Sequence, residues 1–217
     1  MKYGKLLLVI KAVLMALVIL SGAIALPILL RPFYYWHIGS MELGQSLGLD
    51  AQQVKTVYRE MMDYCIGRTN TFSVGELPYS ASGAAHFADV RVLFLLDLRV
   101  LAVSVALLIV LCLFTKENWL GGHRPGFWSA VGLSTSFALV AGLAAVDFDR
   151  AFTVFHSLFF PGKTNWLFYP DEDPVILLLP AEFFRNCALL ILAGILIPCA
   201  GLVFWDLYKK KKERGMR

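Results

Sequence analysis

Charge is scarce in this chain. Only 17% of its 217 residues are Asp, Glu, Lys or Arg, against 58% hydrophobic. A soluble domain of this size could not withdraw so much apolar surface from water, which excludes an ordinary soluble fold. Cysteine is also sparse: Cys65, Cys112, Cys187 and Cys199 show no CxxC and no Cys/His zinc spacing. A disulfide framework and a structural zinc site are therefore not expected, and the thiols are left to packing. HExxH is missing, so no metal is expected on that pattern, and no cofactor is implied. The serine elbow GxSxG is missing too. No internal repeat or low-complexity linker is found. The one basic tail has no second basic face beside it, which argues against nucleic-acid binding.

What is there is grease in four blocks. The runs at about 6–30, 92–114, 127–146 and 182–208 each reach the ~20 residues a helix needs to cross the hydrocarbon core. The sequence predicts an all-α membrane protein with four transmembrane helices, built as one integral membrane domain over 1–217. The first run is too long for a signal-peptide core and lacks a small-residue cleavage site, so it is expected to stay as a span. Eleven of the 20 basic residues fall in three places: Lys2, Lys5 and Lys11; Lys116 and Arg124; and the tail "YKKKKERGMR". The positive-inside rule puts these segments, and so both chain ends, in the cytoplasm. The segments at 31–91 and 147–181 then face outward and form a cap over the outer-leaflet end.

In the first outer segment, Tyr34, Tyr35 and Trp36 suit the headgroup layer, and His37 reads as an interfacial polar residue there. "LDAQQVKTVYREMMDYCIG" reads as a short surface helix, capped by Asp50 with Gln53 three residues on and stopped at Gly67. Its Val54, Val57, Met61 and Tyr64 share one face. "TNTFSVGELPYSASG" is turn-rich, so irregular chain or a small β-hairpin is expected. "PGKTNWLFYPDEDPVILLLP" has too many prolines for one helix, and its "VILLL" is too short to span.

The ionisable residues cluster at the outer boundary. If a helix begins near Ala84, then His86, Asp89, Leu93 and Asp97 fall within about 60° of one stripe. Such groups at membrane depth usually face a partner or a wet cavity. Arg91 and Arg99 are available as ion-pair partners, and Asp89 can orient the His86 imidazole. In "DFDRAFTVFHSLFFPG", Asp149, Phe152, His156 and Phe160 share a helical face that Pro161–Gly162 ends. Both histidines are expected at the same depth. Two imidazoles without an enzyme nucleophile suit an acid/base reaction in which the substrate brings its own attacking atom, although Ser80, Ser82 and Ser157 lie near enough to leave a serine nucleophile open.

Two long segments carry a family resemblance: "PYSASGAAHFADVRVLF" and "FHSLFFPGKTNWLFYPDEDPVILLLPAEFF" resemble the signatures of the lipoprotein intramolecular transacylases, bacterial integral membrane proteins. Span count and loop order agree over the whole chain. The resemblance implies an enzyme of the bacterial plasma membrane acting on diacylated lipoproteins, with membrane lipid around it. The family moves the sn-2 acyl chain of the diacylglyceryl-cysteine to that cysteine's α-amine and leaves a lyso-form lipoprotein. It also implies that His86 and His156 are the catalytic pair. Ring closure through N, Cα, Cβ, S, two glycerol carbons, oxygen and the carbonyl carbon gives roughly an eight-membered ring, whose positioning can supply several kcal/mol. Asp89, Arg91, Ser82 and Tyr79 are candidates for orienting the histidines or holding the oxyanion. A groove open to lipid, lined by Phe155, Phe159, Phe160 and Trp166, is expected to admit acyl chains.

Two other readings stand beside this one. A lipid-sensing or scaffold protein would leave the imidazoles apart, beyond about 10 Å, too far for a shared proton step. An intermolecular acyltransferase or lipase would consume a separate donor lipid.

Overall fold

The computed structural model describes residues 2–115 and 119–215. Lys116 and Arg217, used above for orientation, lie outside the described residues, as does the side chain of Lys2. Among the described residues seven α-helices follow in order: α1 Lys2–Leu29, α2 Arg31–Ser40, α3 Ala51–Cys65, α4 Ala81–Phe114, α5 Pro125–Val146, α6 Phe148–Phe159 and α7 Ala181–Gly215. Single 3₁₀ turns stand at Gln45–Leu47 and Pro174–Leu178. Among the described residues β structure is limited to isolated bridges, Val74 with Glu76 and Leu120 with His123. The stretch read as irregular chain or a hairpin is therefore irregular chain with one bridge. Among the described residues four helices are long and apolar enough to cross a membrane: Gly4–Leu29, Ala81–Phe114, Pro125–Val146 and Ala181–Arg214. The helix carrying the second run begins at Ala81, three residues before the start read from sequence.

The packing divides into two compact units. The first comprises Met1–Ile24, Asp97–Leu143 and Leu190–Arg217. Its core sets small residues around Ile195: Ala23, Ala130 and Cys199 are buried with it, and Leu20, Phe137 and Leu202 pack around them. Small side chains at helix contacts let backbones approach, the usual basis of packing in lipid. Gly126 shows the closeness, since a Cβ there would meet the Met15 side chain at 2.8 Å. The Ser129 hydroxyl donates to the Ala12 carbonyl at 2.6 Å. Large apolar side chains such as Leu113, Leu139, Ile197 and Phe204 point outward, as a lipid-facing surface requires. Lys11 is buried rather than free at the surface, and its ammonium donates to the Thr115 carbonyl. Asp97 sits opposite Ser21 in this unit.

The second unit comprises Ala25–Leu96 and Ala144–Leu189. Chain direction changes at Leu30, where Pro32 opens α2 with a preset φ and no N–H to satisfy. Tyr34, read as a headgroup-layer residue, is fully buried: its ring stacks on Tyr58 at 3.6 Å and its hydroxyl donates to the Leu178 carbonyl. His37 is likewise buried against other residues of the protein. Its Nδ1 meets the Phe33 carbonyl at 2.7 Å, and its Nε2 meets the Asn186 amide at 3.0 Å. The cause is the lie of α2, which turns this face onto α3 and Phe183 and leaves Trp36 exposed. α3 starts on a reciprocal cap, with Asp50 accepting from the Gln53 N–H and the Gln53 side chain accepting from the Asp50 N–H. Val54, Val57, Tyr58, Met61, Met62 and Cys65 are its buried face. Gly67 follows with φ 78°, a left-handed turn that glycine adopts without strain. Arg31 of α2 and Asp63 of α3 form an ion pair at 2.5 Å.

Candidate functional site

His86 lies in the second turn of α4, and the start of that helix is tied down by a buried carboxylate. Asp173, 3% exposed, accepts from the Ser80 N–H at 2.8 Å and the Ser80 hydroxyl at 2.6 Å. The Ser80 oxygen in turn accepts from the Gly83 N–H at 2.9 Å. Two of the orphan donors of the helix start are thus satisfied. A Cβ on Gly83 would lie 2.3 Å from Asp173 Oδ1, so only glycine allows the carboxylate this close.

His156 lies in the last turn of α6, whose first turn is capped by Asp147 accepting from the Arg150 N–H. α6 is strongly two-sided: Val154, Phe155, Leu158 and Phe159 face outward while His156 is buried. After Phe160 the chain reverses, with the Lys163 N–H donating to the Phe160 carbonyl and Gly162 at φ 73°. Asn165 and Trp166 are thereby brought back toward the end of α6.

The two imidazoles meet. Their centroids are 5.9 Å apart and their planes tilt by 33°. Both are buried, at 6% and 8% exposure. Phe160 touches both rings, at 4.9 Å from His86 and 5.7 Å from His156. Phe168 lies edge-on to His86, while Phe152 and Trp166 pack on His156, the indole stacked at 4.7 Å.

The ring nitrogens differ in their surroundings. His156 Nδ1 meets the Phe152 carbonyl at 2.8 Å. A carbonyl can only accept, so the hydrogen of the neutral ring is on Nδ1 and the lone pair is on Nε2. Burial holds this imidazole below the ordinary histidine pKa, although the Phe152 carbonyl pulls the other way. His156 therefore presents a neutral, basic Nε2 at pH 7. His86 Nδ1 is buried without a hydrogen-bond partner among the described residues.

Asp89, expected to orient His86, is taken up elsewhere: its oxygens accept from Lys163 at 2.5 Å and from the Asn165 amide at 3.0 Å. It thus ties the loop carrying Trp166 to α4, one turn beyond His86. Arg91 is directed to another loop. It donates to the Thr69 carbonyl and Asn70, and its guanidinium lies 4.7 Å over the Tyr64 ring. Tyr79 is half exposed with its ring edge on Phe72. Ser82 lines a polar cleft of about 180 Å³ with Ser80, Thr164, Glu172 and Asp173. Of the four aromatic residues assigned to an acyl groove, Phe155 and Phe159 are half exposed and packed together at 4.6 Å, whereas Phe160 is buried and Trp166 covers His156. Among the described residues no cluster of three His, Cys, Asp or Glu side chains could hold a metal.

Lys163, Asn165, Phe168 and Asp173 complete the surroundings of the pair, and none was singled out from sequence. Each lies in the proline-rich stretch that the sequence marks as helix-breaking and as part of a family signature, and their roles depend on where that chain folds back.

Known proteins bear on this arrangement in two ways. The family model for the lipoprotein intramolecular transacylase Lit matches residues 9–184, most of the chain. Among solved structures, the membrane integral lipoprotein intramolecular transacylase Lit from Bacillus cereus superposes with a TM-score of 0.86 at 22% identity, covering 97% of this chain and 99% of that one. Two variants of that protein, with a histidine replaced by arginine or alanine, both superpose at TM-score 0.78 and 22% identity, covering 98% and 97% of this chain and 95% and 96% of theirs. At that identity the likeness speaks for the fold. No curated protein sequence matches. With the family model spanning both histidine-bearing helices, the chain belongs to the lipoprotein intramolecular transacylase family and is a membrane transacylase.

Proposed function

We propose that this enzyme moves the sn-2 acyl chain of a diacylglyceryl-cysteine lipoprotein onto the α-amine of the same cysteine, with His86 and His156 as the acid/base pair. The observation that carries the reading is the pair itself, two imidazoles 5.9 Å apart in an aromatic enclosure. A scaffold role gives no reason to bury two histidines side by side, and a separation this short fits one shared proton step.

The amine nitrogen attacks the ester carbonyl carbon. The N–C bond forms, the C–O bond to glycerol breaks, one amine hydrogen leaves and one hydrogen goes to the glycerol oxygen. His156 is the base, because its neutral Nε2 lone pair is free to take the amine proton while Nδ1 stays bound to Phe152. The proton taken up by His156 is then handed on through His86 to the departing glycerol oxygen, so that both rings end as they began. General acid–base assistance of this kind is worth about 10²–10⁴-fold. The rest of the acceleration comes from holding the substrate bent so that amine and ester meet. Trp166, Phe160 and Phe168 give that enclosure its walls, and excluding water keeps the ester from hydrolysis.

In this reading both chain ends are cytoplasmic and the pair works at the outer leaflet of a bacterial plasma membrane, as the basic excess at the chain ends favours. Acyl chains reach the buried rings past the half-exposed Phe155 and Phe159.

The experiment is mass spectrometry of the N-terminal peptide of one lipoprotein, from cells with and without this protein. The reading expects an N-acyl, S-monoacylglyceryl peptide only when the protein is present. An unchanged diacylglyceryl form in both would refute it. In the purified system, a mixture of substrate with a deuterated sn-2 chain and unlabelled substrate of different peptide mass should give products without label crossover. Crossover would favour the intermolecular acyltransferase.

A further inference from the structure

Asn165 is held beside the histidine pair by its amide nitrogen and left with an unused oxygen. Its Nδ2 donates to Asp89 Oδ2 at 3.0 Å, which fixes which end of the amide is which. Its Oδ1 is buried and has no donor among the described residues. A buried amide oxygen without a donor costs about 1–3 kcal/mol. The neighbouring chain gives reason to keep it there, since Trp166, the next residue, stacks on His156, and Asp89 is one helical turn from His86. Asp89 is also bound to Lys163 at 2.5 Å, so the amide is steered by an already paired carboxylate.

We propose that Asn165 is a substrate-binding residue whose Oδ1 accepts the hydrogen that the attacking α-amine keeps. This rests on the transacylase reading above. A primary amine carries two hydrogens. On attack, the N–C bond forms, the glycerol C–O bond breaks, and one N–H proton passes to His156 Nε2. The other N–H stays and becomes the amide N–H of the product. An acceptor aimed at that second hydrogen fixes the rotation of the amine, so its lone pair points at the ester carbon. The acceptor must be neutral. A bare carboxylate would favour the ammonium form, which has no lone pair to attack with. Here the carboxylate, Asp89, is occupied by Lys163 and the Asn165 amide, and a carbonyl oxygen is what remains. The titratable groups around it are Asp89 and His86 on α4, His156 on α6 and Lys163 on the loop.

The test uses the full-length enzyme in nanodiscs with two synthetic diacylglyceryl-cysteinyl peptides, one with a free α-amine and one with an Nα-methyl amine. The methyl analogue has a single hydrogen, which goes to the base and leaves Asn165 nothing to accept. The wild-type enzyme is expected to acylate the methyl analogue about tenfold more slowly, the size of one hydrogen bond. Asn165→Ala, or Asn165→Leu, which keeps the volume, is expected to slow the free-amine substrate about tenfold in kcat and to remove most of the methyl penalty. A residue that only holds the loop would lower both rates and leave the penalty in place. The proposal is overturned if the wild type is indifferent to methylation, a result needing no variant. It is also overturned if the variants match the wild type on the free amine, or if the two penalties multiply. A wild type that converts neither peptide would instead overturn the transacylase reading beneath it.

Discussion

Trp166 stacks on His156 at 4.7 Å, and its indole N–H donates to the Lys163 carbonyl within the same loop. The loop that covers His156 is thus held at two points: by the indole, and by the Asp89 contacts of Lys163 and Asn165. Trp166→Ala should lower the acyl-transfer rate about tenfold or more while Trp166→Phe retains most of it, because positioning by a flat ring is what is lost. Initial rates on a diacylglyceryl-cysteinyl peptide check this, and equal loss for both variants would count against the stacking role.

Asp89 is bound to that loop and touches neither imidazole within hydrogen-bond distance. Asp89→Asn should cost about tenfold, less than loss of either histidine, because it orients and does not transfer the proton. Lys163→Met should cost a similar amount, and the double variant little more than either, since both cut one tie. Rates of the two single variants and the double variant, compared as a cycle, decide the matter.

His156 should titrate below the ordinary histidine value of 6.5, because burial penalises its imidazolium. The linkage has a definite sign. The unfolded chain takes a proton near pH 6.5 before the folded protein does. Stability from this residue is complete above that pH and is lost as pH falls through 6.5 toward the folded value. Nitrogen NMR of ring-labelled enzyme should find the Nδ1–H tautomer at neutral pH and a midpoint below 6.5. An Nε2–H tautomer would reverse the assignment of the base.

Gly83→Ala should destabilise the enzyme by about 1–3 kcal/mol, the usual cost of overpacking. The added Cβ would force Asp173 away from the Ser80 donors that fix the start of the His86 helix. Thermal unfolding in detergent measures the loss. Asp173→Ala should fall in the same range, because it strips the same two donors of their acceptor.

Topology needs an engineered reporter. Cys65 is 1% exposed and burial pushes its thiol up to about 12, so it is a poor target for thiol reagents on either side of a membrane. Arg68→Cys, at a position whose side chain is 66% exposed, serves instead. An impermeant maleimide should label it in intact cells without opening the membrane. Labelling only after the inner face is exposed would invert the assignment.

The sequence made the membrane-crossing helices legible because their signal is local: a long apolar run identifies a span whatever packs beside it. The Asp50–Gln53 cap is equally local, since its partners are three residues apart. His86 and His156 could be named because family signatures surround them, while their meeting at 5.9 Å depends on how α4 and α6 pack. The residues whose contacts were not legible are those whose surroundings come from distant chain. Tyr34 and His37 looked interfacial because an aromatic run after a span usually is, and a face turned onto α3 and Phe183 leaves no trace in that run. Asp89 has a histidine three residues away, yet Lys163 and Asn165, more than seventy positions on, outcompete it.

The most direct test is the rate of N-acyl product formation by His86→Ala, His156→Ala and the double variant, each inserted and folded as the wild type. If the two imidazoles serve one proton step, each single substitution should cost about 10²–10⁴-fold, or about 3–5 kcal/mol of barrier. The double substitution should then cost little more than the worse single one. A properly inserted single variant that still makes product at the parental rate would contradict the account.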